Sequence, residues 1–129
     1  MQGASLVPIF KGKTPKDWRT TFYYHYYEFP GAHSVARHYG VTDGKHKLIH
    51  FYNLKEWELF DLKRDPKEMH SRYGDPQYAS VIEEMKKELT RLRDVYAVPE
   101  DTRPLTRPKK PKKPKKGKKG KPDQKTDKK

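Results

Sequence analysis

Cysteine is absent from the 129 residues. That removes disulfide frameworks, thiolate metal sites and thiol nucleophiles together. Long apolar runs are missing too: none approaches the roughly 18 residues of a membrane-spanning helix, and no leader-like pattern is expected in the opening residues. Apolar residues make up 32% of the chain and charged ones 36%, so any core is small. Net charge is +13, but residues 103–129 hold 14 basic and 2 acidic side chains, a net +12. Residues 1–102 hold 16 and 15, a net +1. The basicity belongs to a tail, and the pI of about 9.8 does not make the body a nucleic-acid binder.

The tail, RPLTRPKKPKKPKKGKKGKPDQKTDKK, has almost no apolar side chains. It cannot bury enough surface to offset its ordering entropy and is expected to be disordered. Its charge suits an acidic polysaccharide or a nucleic acid. The lack of stacking aromatics argues against base recognition. The chain therefore divides into one small domain, residues 1–102, and a Lys/Pro-rich tail, residues 103–129. A domain of about 100 residues is only marginally stable.

The domain is organised around residues 35–65. Asp43-Gly44 suits a two-residue hairpin turn, whose central residues both need positive φ. That turn sets Val41 opposite His46, Tyr39 opposite Leu48 and Arg37 opposite His50 on one face, and Gly40 opposite Lys47 and His38 opposite Ile49 on the other. Both faces mix apolar and ionisable residues, which implies that both are covered, one by something outside this chain. Residues 2–13 read as an extended entry segment and residues 14–18 as one helical turn. Residues 19–29 (RTTFYYHYYEF) read as a strand, with Tyr24 and Tyr26 on one face and Tyr23, His25, Tyr27 and Phe29 on the other. Trp57–Leu62 forms a further short strand. Asp75 caps a helix with Pro76 in its first turn, and Tyr78, Val81, Ile82, Met85, Leu89, Leu92 and Tyr96 line its apolar stripe. The expected fold is α+β: an antiparallel sheet of about four strands with one packed C-terminal helix. The sheet face away from that helix is expected to expose a connected aromatic patch.

Six histidines raise the question of a metal. His46 and His50 share a face but lie about 13 Å apart along a strand, too far for a common ion. Anion recognition fits better, with Arg37 and His50 as cross-strand neighbours and His25, His33, His38 and Lys47 nearby. Such donors suit sulfate esters and uronates, and Arg offers two parallel hydrogen bonds. The competing reading is that these groups make ordinary polar contacts with a covering domain. Residues 23–27 suit sheet packing better than a sugar platform.

Four stretches, GASLVPIFKGKTPKDWR, FYYHYYEFPGAHSVARHYGV, KHKLIHFY and ELFDLKRDPKEMHSRYGDPQYA, resemble the C-terminal subdomain of formylglycine-dependent sulfatases. The bacterial arylsulfatase and sulfoglucosamine sulfohydrolase group is the nearest. The resemblance covers residues 2–100, and ELFDLKRDPKE is its most specific part; the family pattern is E-L-Y/F-D-L-x-x-D-P-x-E-x-x-N. Ser71 stands in place of the Asn, which is expected to loosen a turn, and Thr42 stands where an Arg is frequent, which removes an anion contact. The resemblance implies a separate catalytic domain, in cis or trans, that carries the Cys/Ser-x-Pro-x-Arg motif, its formylglycine and a calcium ion. This chain lacks them: Ser5-Leu6-Val7-Pro8 has the wrong spacing for the motif. The resemblance further implies a fragment inactive alone, a periplasmic or extracellular location, and a subdomain that closes one wall of a sulfated-substrate pocket through His25, His33, Arg37, His38 and His50. The alternative is a stand-alone polyanion-binding module that uses the basic tail.

Overall fold

The structure, a computed structural model, describes residues 4–29 and 31–103. The expected disorder of the tail concerns residues outside that range, apart from Arg103. Four strands, β1 (Phe22–Tyr26), β2 (His38–Thr42), β3 (His46–Phe51) and β4 (Glu56–Asp61), form one antiparallel sheet in sequence order. A single 3-10 turn, Pro76–Tyr78, leads into the long helix α2 (Ala79–Val95). The fold is the expected α+β arrangement, a sheet with one helix laid across it.

The helix begins where its sequence says it should. The Asp75 carboxylate accepts the Gln77 amide at 3.0 Å, and Pro76 follows in the first turn, where a missing N–H costs nothing. Ile82, Met85, Leu89 and Leu92 then point inward and pack with Tyr78 on Tyr39, Val41, Leu48 and Leu59. Val41, Leu48 and Leu59 are wholly buried. They sit side by side on β2, β3 and β4 through the pairs Val41–Leu48 and Leu48–Leu59. At the other end of α2 the Ala97 amide bonds the Asp94 carbonyl at 3.0 Å and the Val98 amide bonds the Arg93 carbonyl at 2.9 Å. This is a Schellman ending, whose left-handed position normally belongs to glycine. Ala97 holds it at φ 48°. Ala97→Gly should therefore raise stability by about 0.5–1 kcal/mol, read as a higher urea midpoint at unchanged slope.

The hairpin departs from expectation. Its pairs are Tyr39–His50, Gly40–Ile49, Val41–Leu48 and Thr42–Lys47, two residues away from the two-residue-turn register. Only Gly44 has positive φ there, at 82°. The Asp43 carboxylate accepts the Lys45 and His46 amides at 2.8 and 2.6 Å, and Thr42 Oγ1 donates to the His46 carbonyl at 2.8 Å. These side-chain bonds hold a wider turn. The slip is even, so every side chain keeps its face, and Val41 gains the apolar partner Leu48. Arg37 is consequently not opposite His50; it lies just before β2.

Two N-terminal expectations are also corrected. Residues 2–13 are not extended throughout: α1 (Val7–Phe10) is one helical turn with Pro8 near its start. Gly12 follows it at φ 70°, which ends the turn. Residues 14–18 make a turn closed by the Trp18 amide on the Pro15 carbonyl at 3.1 Å, without a helix. Ser71 does not loosen its loop, because its hydroxyl accepts the Leu59 amide at 3.2 Å and the Tyr73 amide at 3.3 Å, which ties the loop to β4.

The face away from α2 is less open than expected. Ile49 and Phe60 are buried there, and His38 lies against Tyr26 and Phe51, with ring centroids 5.3 and 5.0 Å away. Tyr24 lies across Gly40, where any β-carbon would meet its ring. Lys47 pairs with Glu68 at 2.6 Å, which draws the loop after β4 toward the sheet. The chain's own aromatic residues half-close this face, and Phe22 stays exposed at its edge.

Candidate functional site at one end of the sheet

The segments after β1, after β3 and after α2 meet at one end of the sheet. Arg37 Nη1 donates to the Arg103 carbonyl at 2.9 Å, Tyr52 Oη donates to Asp101 Oδ2 at 2.8 Å, and Asn53 Nδ2 donates to the Arg103 carbonyl at 3.4 Å. Ordered contacts thus run to Arg103, one residue past the expected domain boundary. Between these segments lies a cleft of about 280 Å³, lined by His25, Tyr39, His50, Tyr52, Asn53, Arg93 and residues 99–102.

Two hydrogen-bond chains run beside the cleft, and their proton directions follow from their ends. Tyr52 donates to Asp101, so His25 Nε2, 3.3 Å from Tyr52 Oη, is the donor in that contact. His25 Nδ1 then accepts from the Tyr23 hydroxyl at 3.0 Å. Likewise Arg93 Nη1 donates to Tyr39 Oη at 3.1 Å, which leaves the Tyr39 hydroxyl proton free for His50 Nδ1 at 2.9 Å. Both imidazoles are neutral in this arrangement. Burial lowers the pKa of His25 to about 4, with Arg93 adding to the effect and Asp101 opposing it. Burial also lowers that of His50 to about 4, assisted by Arg93 and Lys86. Stacking completes the surroundings, with His25 on Tyr27 at 3.7 Å and His50 on Trp57 at 3.8 Å.

Asp101 is held as a carboxylate beside these neutral rings. Arg103 binds it through both carboxylate oxygens at 2.7 Å, and Arg37 lies 3.5 Å away. The Arg103 hydrogen bonds, joined by that from Tyr52, hold its carboxyl far below the usual carboxylate range. The Tyr52 phenol is pushed well up by burial and by Asp101.

The depressed histidines make stability pH-dependent. Each has a folded pKa near 4 and an unfolded one near 6.5. The unfolded chain thus binds more protons between those values, and stability falls as pH drops from about 6.5 to 4. Unfolding at about pH 5.3 should take up about two protons from these two rings. Comparing denaturation in buffers of different ionisation enthalpy measures that number, and His25→Asn with His50→Asn should remove it.

Of the five sequence-predicted residues, the fold brings His25 and His50 to the cleft and Arg37 to its rim through Asp101. His38 lies on the opposite face, donating from Nδ1 to the Ala36 carbonyl at 2.9 Å. His33 is exposed in the loop before β2. Sequence reasoning missed Arg93, Asn53 and Asp101. Arg93 had a signal: it directly follows Leu92 on the buried side of α2 and lies four residues after Leu89. His46 sits at the far end of β3, against Asp43 at 3.3 Å. Among the described residues no group of three His, Asp or Glu side chains is placed to hold a metal ion. No helix among them is long and apolar enough to cross a membrane.

The described domain is a four-stranded sheet backed by one long helix, with a polar aromatic cleft at one end. Residues 1–95 match the family model of the N-sulphoglucosamine sulphohydrolase C-terminal region, and the chain belongs to that family. It is 50% identical over 99 residues to an N-acetylglucosamine-6-O-sulfatase of Bacteroides thetaiotaomicron, covering 74% of this chain and 18% of that protein. A solved structure in complex with its substrate D-glucosamine-2-N,6-O-disulfate superposes with a TM-score of 0.71 at 48% identity, covering 74% of this chain and 20% of the other. The phosphonate monoester hydrolase of Agrobacterium radiobacter shares the fold with a TM-score of 0.58 at 25% identity, over 73% of this chain and 21% of that enzyme. The chain spans about a fifth of the length of these relatives.

Proposed function

We propose that residues 1–102 serve as the C-terminal portion of a sulfatase acting on sulfate esters of carbohydrates. In this reading they complete the fold and one wall of the substrate pocket of a catalytic domain supplied in cis or trans. The observation that carries this reading is the match to an N-acetylglucosamine-6-O-sulfatase across nearly the whole described domain, with its polar residues gathered at one end of the sheet. His25, His50 and Arg37 border the cleft there. His33, exposed in the loop before β2, is available to a facing domain, whereas His38 is packed on the opposite sheet face between Tyr26 and Phe51. Calcium and formylglycine belong to the catalytic domain in this reading. The residues of this chain do not fit formylglycine, since it has neither a cysteine nor a correctly spaced Ser-x-Pro-x-Arg, and among the described residues no group of three His, Asp or Glu side chains is placed to hold a cation. The phosphonate hydrolase likeness supports the same division, one accessory fold serving different ester chemistries. The lysine-rich segment beyond residue 103 suits a polyanion such as a sulfated polysaccharide by charge alone.

The purified chain should release no sulfate from an aryl sulfate, with or without calcium. Sulfate release measured by ion chromatography checks this. Metal-dependent turnover by the pure chain would overturn the reading.

A further inference from the structure

The lysine-rich segment lies outside the family. Residues 1–95 match the family model, whereas residues 103–129 hold 14 basic and 2 acidic side chains, a net +12. The point at which this segment leaves the domain is fixed. The Arg103 carbonyl accepts from Arg37 Nη1 at 2.9 Å and from Asn53 Nδ2 at 3.4 Å. The Arg103 guanidinium holds both carboxylate oxygens of Asp101 at 2.7 Å, and Asp101 also accepts the Tyr52 hydroxyl at 2.8 Å. Thr102, the residue before, lines the cleft. The polycation therefore starts at the cleft end of the sheet, away from the hairpin turn at Gly44. Lys109 follows six residues after Arg103, so chain length alone keeps it within about 20 Å of that carbonyl. The domain itself offers a polyanion little attraction. Residues 1–102 carry a net +1, and Glu100 lines the cleft beside Asp101. Beyond Arg103 the basic residues are twelve lysines and Arg107, with no Phe, Tyr or Trp among them. Lysine is a strongly hydrated point charge, and without aromatic rings there is nothing on which bases stack. Such a segment responds to charge density and not to base sequence.

We propose that the lysine-rich segment tethers a sulfated polysaccharide beside the catalytic pocket, so that long substrates are concentrated there and single sugars are not. The inference rests on the proposed sulfatase role and names the polymer that the whole enzyme would meet. Many charges must be engaged together for counterion release to drive binding, which a polymer allows and a single sugar does not. A second contact of this kind raises the effective concentration of the chain at the first. It holds ground state and transition state alike, so it lowers KM for the polymer and leaves kcat unchanged.

The test has two arms, both with the segment at full length. In the first, the full chain is titrated with a heparin decasaccharide and with random-sequence duplex DNA at about 50 mM salt. Lys109→Gln, Lys110→Gln, Lys112→Gln, Lys113→Gln, Lys115→Gln and Lys116→Gln made together should weaken decasaccharide binding at least about tenfold and flatten its salt dependence. Unchanged binding would put the polyanion on the domain and overturn the proposal. In the second arm, residues 1–129 replace the matching region of the Bacteroides N-acetylglucosamine-6-O-sulfatase. Sulfate release is measured from N-acetylglucosamine 6-sulfate and from a sulfated decasaccharide ending in that sugar. The same six substitutions should raise KM for the decasaccharide at least about tenfold, with its kcat and both constants for the single sugar unchanged. The difference should vanish at about 0.5 M salt. An unchanged decasaccharide KM would overturn the proposal, and DNA binding lost in the same variant would then assign the segment to nucleic acid. No release from the decasaccharide by a fusion active on the single sugar would overturn it too. Either result leaves the proposed function standing, whereas a fusion inactive on both substrates removes that function and this inference together.

Discussion

Gly40→Val should cost the domain more than about 3 kcal/mol, read as a large drop in its urea midpoint. Gly40 sits in β2, paired with Tyr24 on one side and Ile49 on the other. A β-carbon there would run into the Leu48 backbone carbonyl and the Tyr24 ring. The ring can swing away, but the carbonyl belongs to the neighbouring strand and moves only if the sheet opens. Overpacking of this kind costs about 1–3 kcal/mol when side chains alone must yield, and more when backbone must. A domain of this size has a total stability of about 5–15 kcal/mol, so a cost at or beyond the upper end removes much of it. Gly12 and Gly74 make the contrast, because a β-carbon at either would meet nothing within 4 Å. Substitution at those positions carries only the cost of positive φ, about 1 kcal/mol. Circular dichroism through a urea titration measures the difference. A Gly40→Val midpoint close to the parent's would mean that β2 and β3 do not pair as described.

The second large effect concerns the domain in its proposed setting. A fusion in which residues 1–103 replace the matching fifth of the Bacteroides N-acetylglucosamine-6-O-sulfatase should fold and release sulfate, since the two are 50% identical over this region. Introducing Gly40→Val into that fusion should abolish most of the release. The substitution adds no charge and removes no polar group, so its effect would pass through the folding of this subdomain.

How much of this was legible in the sequence depended on the range of the interaction. The α2 stripe was readable because Ile82, Met85, Leu89 and Leu92 recur at helical spacing and the Asp75-Pro76 cap is local. Strand faces were readable because alternation survives an even slip. The hairpin register was not, because it turned on the Asp43 carboxylate taking two amides, a choice that a dipeptide preference for tight turns does not contain. The cleft was legible only in part. His25 and His50 are placed by strand alternation, but Asp101 reaches it only through the return of the chain after Pro99, which also supplies the Arg103 carbonyl that orients Asn53. That contact joins residues 49 apart, and no local pattern announces it. Arg37 was assigned to the correct end of the sheet but the wrong partner, for the same reason that the register was missed. The family resemblance supplied what spacing could not, the expectation of a larger catalytic partner.

The most direct measurement of the central claim is the sulfate release of that fusion against N-acetylglucosamine 6-sulfate, set beside the same catalytic domain lacking any C-terminal subdomain. Activity in the fusion and its loss in the truncated protein are what this account predicts. A fusion that folds cooperatively, keeps the helix and sheet described above, and releases no more sulfate than the truncated protein would contradict it.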